Sequence, residues 1–220
     1  HEPSTKLLSL ENTYCGMVQP IEELKILTQI ARNANLSTHL DGARLANAVI
    51  KTGNSFASYG RLFDTISLCL SKGLGAPVGS ILVGGPDFIS KARRQRKQLG
   101  GGMRQSGVLA AAGLYALEHN LNRLNIDHNN ASILAQKLSQ NSVFHVRHNL
   151  THTNIVYADI EKDKAETMHV HLSCNNIKVN SPEPVIVDEN IWYRFRFVTH
   201  LNINDEDIDR LVDCINIFDG

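Results

Sequence analysis

Short apolar stretches punctuate the first hundred residues at 7–10, 36–40, 66–70 and 81–83, with longer polar or amphipathic chain between them. Runs of that length suit strands, and separators long enough for a helix allow parallel strands to be joined by crossovers. Residues 7–10 read as the first strand. Pro20 suits the first turn of a helix, in which Leu24, Leu27 and Ala31 recur at helical spacing, flanked by Ile26 and Ile30, up to an exit at 33–35. Residues 36–40 are short and bounded, Ile66, Leu68 and Leu70 alternate with other residues, and 81–83 precedes a Gly-Gly pair, so all three read as strands. The pattern predicts βα units around a largely parallel sheet. Asp41 and Lys72 then follow strand C-terminal ends, the edge at which open α/β sheets form crevices.

A glycine run at 100–102 closes this half. Residues 103 to about 123 predict a long helix and 128–140 a second one. The character then changes. Residues 143–146, 154–158, 177–179 and 192–198 read as strands, with a helix over about 163–175. The last helix starts near Asn204, a good N-cap, with Asp205, Glu206 and Asp207 in its first turn and Ile208, Leu211, Val212 and Ile215 on its buried face. The expected organisation is a larger α/β domain over 1–125 and a small α+β domain over 126–220.

With 42% of its 220 residues hydrophobic, the chain can bury a real core. Lys plus Arg and Asp plus Glu each total 22, so no global field favours nucleic acid or anionic lipid, and a partner must be recognised locally. No apolar run approaches the roughly 18 residues needed to span a bilayer, and the N-terminus lacks the pattern of a signal peptide. These features point to a cytoplasmic protein without membrane or nucleic-acid partners. Cys15, Cys69, Cys174 and Cys214 lie far apart without paired metal-ligand spacing, which suggests isolated thiols and no metal site. The basic run Lys91, Arg93, Arg94, Arg96, Lys97 suits either phosphate-rich partners or a solvated helix face near an interface.

Two segments carry chemistry. Ser-Leu-Cys-Leu-Ser-Lys-Gly-Leu-Gly at 67–75 puts Lys72 between an apolar strand and a glycine-containing turn. An amine condenses with an aldehyde only when neutral, a form that partial burial or a neighbouring cation favours. Glycines after it let the backbone approach a bound group. A solvated loop lysine has the same local pattern. The second segment is His-Leu-Asp-Gly-Ala-Arg at 39–44. A carboxylate at a strand end can hold the proton of a pyridine nitrogen, and Arg44 offers a planar fork for a carboxylate or phosphate. An ordinary local ion pair between Asp41 and Arg44 is the alternative.

These stretches, together with Leu-Leu-Ser-Leu-Glu-Asn-Thr at 7–13, Gly-Gly-Gly-Met-Arg-Gln-Ser-Gly at 100–107 and Arg-Phe-Val-Thr-His at 196–200, follow one another in a telling order. Over almost the whole chain the sequence resembles the low-specificity L-threonine aldolases. The resemblance implies an aspartate-aminotransferase-like, pyridoxal-phosphate-dependent fold with a mainly parallel large domain and a small C-terminal domain. It also implies a homotetramer built from dimers, with active sites at the dimer interface. Carried across by motif, it makes Lys72 the residue that forms a Schiff base with pyridoxal 5'-phosphate, and Asp41 the partner of the pyridine nitrogen. It makes Arg44 and Arg196 the ligands of the substrate carboxylate and places Arg104 near the cofactor phosphate. His1 matches a pocket histidine on the β-hydroxyl side of the substrate. Arg196 alternates with Arg194 along a strand, so a solvent-facing role for either stays open.

The implied reaction is retro-aldol cleavage of L-threonine or L-allo-threonine to glycine and acetaldehyde, with a histidine or a water removing the β-hydroxyl proton. A transaminase or decarboxylase on the same fold is the alternative enzyme. The chain begins at His1, without the family's glycine-threonine phosphate turn and its ring-stacking histidine, so it is expected to be N-terminally incomplete. An inactive truncated product is the remaining reading.

Overall fold

The computed structural model describes residues 4–218, and His1 lies outside them. The chain divides into two units, residues 1–124 and 125–220.

In the first unit β1 (Leu7–Glu11) is followed by α1 (Ile21–Asn33) and β2 (Ser37–Gly42). Then come α2 (Leu45–Thr52), α3 (Phe56–Gly60) and β3 (Thr65–Cys69). β4 (Ser80–Gly84), α4 (Pro86–Gln98) and α5 (Gly107–His119) complete it. The sheet order is β1-β2-β3-β4, with β1, β2 and β3 parallel and β4 antiparallel. A direct loop from β3 to β4 is too short for a crossover helix, which is why this pair runs antiparallel.

The core of this unit lies on one face of the sheet. Leu40, Ile66 and Leu68 pack there against Leu24 of α1, Leu45, Ala48 and Val49 of α2, and Tyr59 of α3. α1 has Glu22 and Glu23 at the positive end of its dipole and Arg32 at the other. It buries Leu24, Thr28 and Ala31, whereas the sequence suggests Leu24, Leu27 and Ala31. At about 100° per residue Thr28 falls roughly 40° round the helix from Leu24, and its hydroxyl donates to the Leu24 carbonyl at 2.8 Å, which removes the cost of burying it. Leu27 is left exposed. α5 starts four residues later than expected, because Gly100 and Gln105 adopt φ of +87° and +50°, outside the helical region.

The second unit contains most of α6 (Leu124–Leu138), then β5 (His145–Val146), β6 (Ile155–Ile160), α7 (Lys162–Cys174), β7 (Glu183–Val187), β8 (Asn190–Val198) and α8 (Asp205–Asn216). Its antiparallel sheet has the order β5-β6-β8-β7. Val156, Ala158, Phe195 and Phe197 meet Leu134 and Leu138 of α6, Met168 and Leu172 of α7, and Ile208 and Ile215 of α8 in one core. α8 begins as expected: Asn204 accepts from the Asp207 N–H, and the Asp207 carboxylate accepts from the Asn204 N–H.

One strand expectation fails here, and one strand was not expected. Residues 177–179 form no strand, although Ile177 and Val179 pack on the core. The edge strand is instead β7, where Glu183 and Pro184 weaken the sequence signal but hairpin pairing with β8 supplies the backbone partners. Among the described residues no helix is long and apolar enough to cross a membrane.

Candidate active site

Asp41 is the penultimate residue of β2 and pairs in register with Glu11 of β1 and Ser67 of β3. Side chains alternate along a strand, so Glu11, Asp41 and Ser67 stand together on the sheet face opposite the apolar core. Asp41 Oδ1 accepts from the Ala43 N–H at 3.0 Å and from the Ser67 hydroxyl at 3.5 Å. With Glu11, Tyr14 and Gln19 it lines an open cleft of about 480 Å³. On the same face, one alternation back along the strand, His39 Nδ1 lies 2.8 Å from Thr65 Oγ1.

The chain turns at the end of β2 straight into α2, whose N-cap is Arg44, a half-buried residue. Gly42 makes this turn possible. A Cβ there would stand 2.5 Å from the Ser67 carbonyl oxygen and 3.0 Å from Leu45 Cβ, so only glycine lets β2 close on β3 at this level.

Lys72 is exposed, on the loop that leaves the carboxyl end of β3. That loop is tightly built. Leu70 N–H donates to Gly79 O at 2.9 Å, Ala76 N–H to Leu70 O at 3.0 Å and Gly75 N–H to Lys72 O at 2.9 Å. Asn120 of the segment after α5 donates to the Leu74 carbonyl at 2.8 Å. Gly73 is pressed against Leu124, with a Cβ there falling 2.7 Å from Leu124 Cδ2. Asp41, Arg44 and Lys72 therefore all emerge at the carboxyl edge of two adjacent parallel strands, the usual place for ligands in such sheets.

Cys69, the last residue of β3, belongs to the same edge. Burial pushes its thiol up, but hydrogen bonds with Ser71 and Ser80 and the nearby Lys72 charge outweigh this and hold it below the ordinary value of 9.0.

The other expected residues are elsewhere. Arg104 is exposed on the bend before α5, in the first unit. Arg196 belongs to the second unit, half-buried on β8 opposite Tyr157 of β6. There it lines a cleft of about 360 Å³ with Lys178, Thr199, His200, Asp207 and Arg210. Its neighbour Arg194 has a separate task. Asp159 is fully buried, and its carboxylate accepts from Arg194 Nε at 2.7 Å, Arg194 Nη2 at 2.9 Å and Arg147 Nε at 2.8 Å. Burial raises the proton affinity of Asp159, yet hydrogen bonds from Arg194 and then Arg147, reinforced by their charges, hold it below its ordinary value.

Residues that sequence reasoning did not single out are Ser67, Gly42 and Glu11. Glu11 and Ser67 pair in register with Asp41 and Gly42 follows it in β2, a signal that could have found them once the strand order was known.

The sequence pattern of the beta-eliminating lyases matches residues 1–161. A low specificity L-threonine aldolase of Escherichia coli K12 is 42% identical over 208 residues, covering 94% of this chain and 59% of that protein. Among solved structures, a threonine aldolase of Leishmania major superposes with a TM-score of 0.76 at 22% identity, covering 96% of this chain and 60% of the other. A serine palmitoyltransferase of S. paucimobilis with bound PLP and myriocin gives a TM-score of 0.66 at 18% identity, covering 96% and 54%. These structures share the expected α/β fold. The chain spans about three fifths of the length of the Escherichia coli relative. With the pattern matched over residues 1–161, this chain belongs to the beta-eliminating lyase family.

Proposed function

We propose that this chain forms the lysine- and carboxylate-bearing part of a pyridoxal-phosphate site that cleaves L-threonine or L-allo-threonine to glycine and acetaldehyde. The observation that carries this reading is the meeting of Asp41 and Lys72 at one sheet edge, in a chain 42% identical to a low specificity L-threonine aldolase. The residues suit the cofactor: Oδ1 of Asp41 is already engaged by Ala43 and Ser67, which leaves Oδ2 for a ring N–H, and the Lys72 amine is exposed on a braced loop.

Pyridoxal phosphate, when bound, supplies an aldehyde that condenses with amines and a ring that takes up the electron pair left at Cα. The chain supplies the rest. Lys72 holds the aldehyde and carries protons at its Nζ. Asp41 keeps the ring nitrogen protonated. Arg44 and Arg196 bind the substrate carboxylate, which fixes the bond to be broken relative to the ring. Arg104 adds positive charge for the phosphate, and His1 or a bound water takes the β-hydroxyl proton. The active form in this reading is a cytoplasmic homo-oligomer, a dimer of dimers. The exposure of Val108, Leu114 and Tyr115 on α5, a helix that buries only Gly113 and Ala116, supports an interface there.

The test uses the full-length protein. Wild type is expected to develop the absorbance band of lysine-bound cofactor and to release acetaldehyde from threonine without a keto-acid. Lys72→Ala loses both. A Lys72→Ala protein with a wild-type spectrum and activity would overturn the assignment, and a strict keto-acid requirement would replace it with transamination.

A further inference from the structure

We propose that Ser67 and Gly42 form a positioning pair that fixes the Asp41 carboxylate for its cofactor. The inference rests on the reading of Asp41 as the partner of the ring nitrogen.

Asp41 is exposed, and its own chain holds its side chain through one bond, from the Ala43 N–H two residues on. The second hold comes from β3. Of the two residues in register with Asp41, Glu11 has no donor when ionised, whereas Ser67 offers a hydroxyl. That hydroxyl lies 3.5 Å from Oδ1, at the outer limit of hydrogen bonding, and the Ala43 N–H reaches the same oxygen at 3.0 Å. Two donors on one oxygen stop the carboxylate from rotating and leave Oδ2 for a ligand N–H.

Gly42 sets the distance over which Ser67 acts. The 2.5 Å separation between a Cβ at Gly42 and the Ser67 carbonyl oxygen involves backbone, which cannot swing aside as a flexible side chain would. An alanine at this position must push β2 away from β3 at the level of Asp41 and Ser67, which would break a contact already at its outer limit. The hydrogen bond and the steric constraint thus meet on the same pair of residues.

The experiment titrates pyridoxal phosphate into the full-length apoprotein and reads affinity and the absorbance spectrum of the bound cofactor as a function of pH. kcat and KM for threonine are measured in parallel. Ser67→Ala is expected to weaken cofactor binding roughly two- to threefold, the loss of one hydrogen bond at the weak end of the usual range. kcat should fall while KM stays within about twofold. Ser67→Thr, which keeps the hydroxyl on a β-branched side chain suited to a strand, should restore binding and spectrum. Gly42→Ala should weaken binding more than Ser67→Ala. If it does not fold, the comparison of Ser67→Ala with Ser67→Thr carries the test. A Ser67→Ala protein with wild-type affinity and spectrum overturns the positioning role and leaves the cofactor reading intact. A wild-type protein that binds no pyridoxal phosphate overturns both.

Discussion

Replacing Asp159 by alanine removes the one acidic group between two guanidinium groups in the second unit. The carboxylate accepts three charge-assisted hydrogen bonds of 2.7–2.9 Å, and Asp159 has no exposed surface. Arg147 and Arg194 retain side-chain exposures of 28% and 22%, so they are mostly withdrawn from water and lose a shared hydrogen-bonded carboxylate together. Truncating one member of a buried ion pair costs about 3–5 kcal/mol, chiefly because the remaining charge is stranded. Partial access of both arginines to water places this site near the lower figure, about 3 kcal/mol. For a unit of roughly 100 residues, each kcal/mol lowers Tm by about 4–8 °C, so a fall of about 12 °C or more is expected.

Trp192, the protein's only tryptophan, lies on β8 with its ring 4.4 Å from His145, so its fluorescence reports unfolding of this unit specifically. The pH dependence has a definite sign. The folded-state proton affinity of Asp159 is depressed below the ordinary value of 3.8, so its stabilisation is fully present above that value and is lost as pH falls through the folded one. The acid limb of the wild-type Trp192 transition should therefore be blunted in Asp159→Ala. A variant that melts within about 2 °C of wild type, with an unchanged acid limb, would refute the account of the triad.

Three smaller perturbations test local arguments. Asn204→Ala removes the capping box of α8 and should cost about 1 kcal/mol, seen as faster amide exchange in the first turn of that helix. Gly73→Ala forces a Cβ to within 2.7 Å of the buried Leu124 side chain and should destabilise the first unit by about 1–3 kcal/mol in denaturant unfolding. Alkylation followed by mass spectrometry should label Cys69 well before Cys214, whose thiol is buried and pushed up by that burial, and the Cys69 rate should reach half its maximum below pH 9.0.

The local signals in this chain were strong where one short segment decides its own conformation. Apolar runs bounded by turn residues announced β1, β2, β3 and β4, and Asn204 followed by three acidic residues announced α8. The placing of Asp41 and Lys72 at strand ends was legible because strand-to-loop junctions with adjacent glycines are local patterns. Other features depended on what lies across space. Leu27 and Thr28 differ by one helical position, and only the packing of α1 on the sheet decides which is buried. The edge strand β7 becomes a strand through pairing with β8, whereas residues 177–179, equally apolar, find no strand partner.

Sequence by itself determined the alternation of strands and helices, and it puts Asp41 and Lys72 at strand-to-loop junctions. Tertiary structure alone decided the company those residues keep. The register of β2 on β3 puts Ser67 beside Asp41 and makes Gly42 the only residue that fits there. The register of β6 on β8 assigns Arg194 to Asp159 and leaves Arg196, two residues on, opposite Tyr157. The physical reason is the same in both cases. Hydrophobic periodicity fixes which face of a strand a side chain occupies, but the neighbour on that face is set by backbone hydrogen bonds between strands more than twenty residues apart.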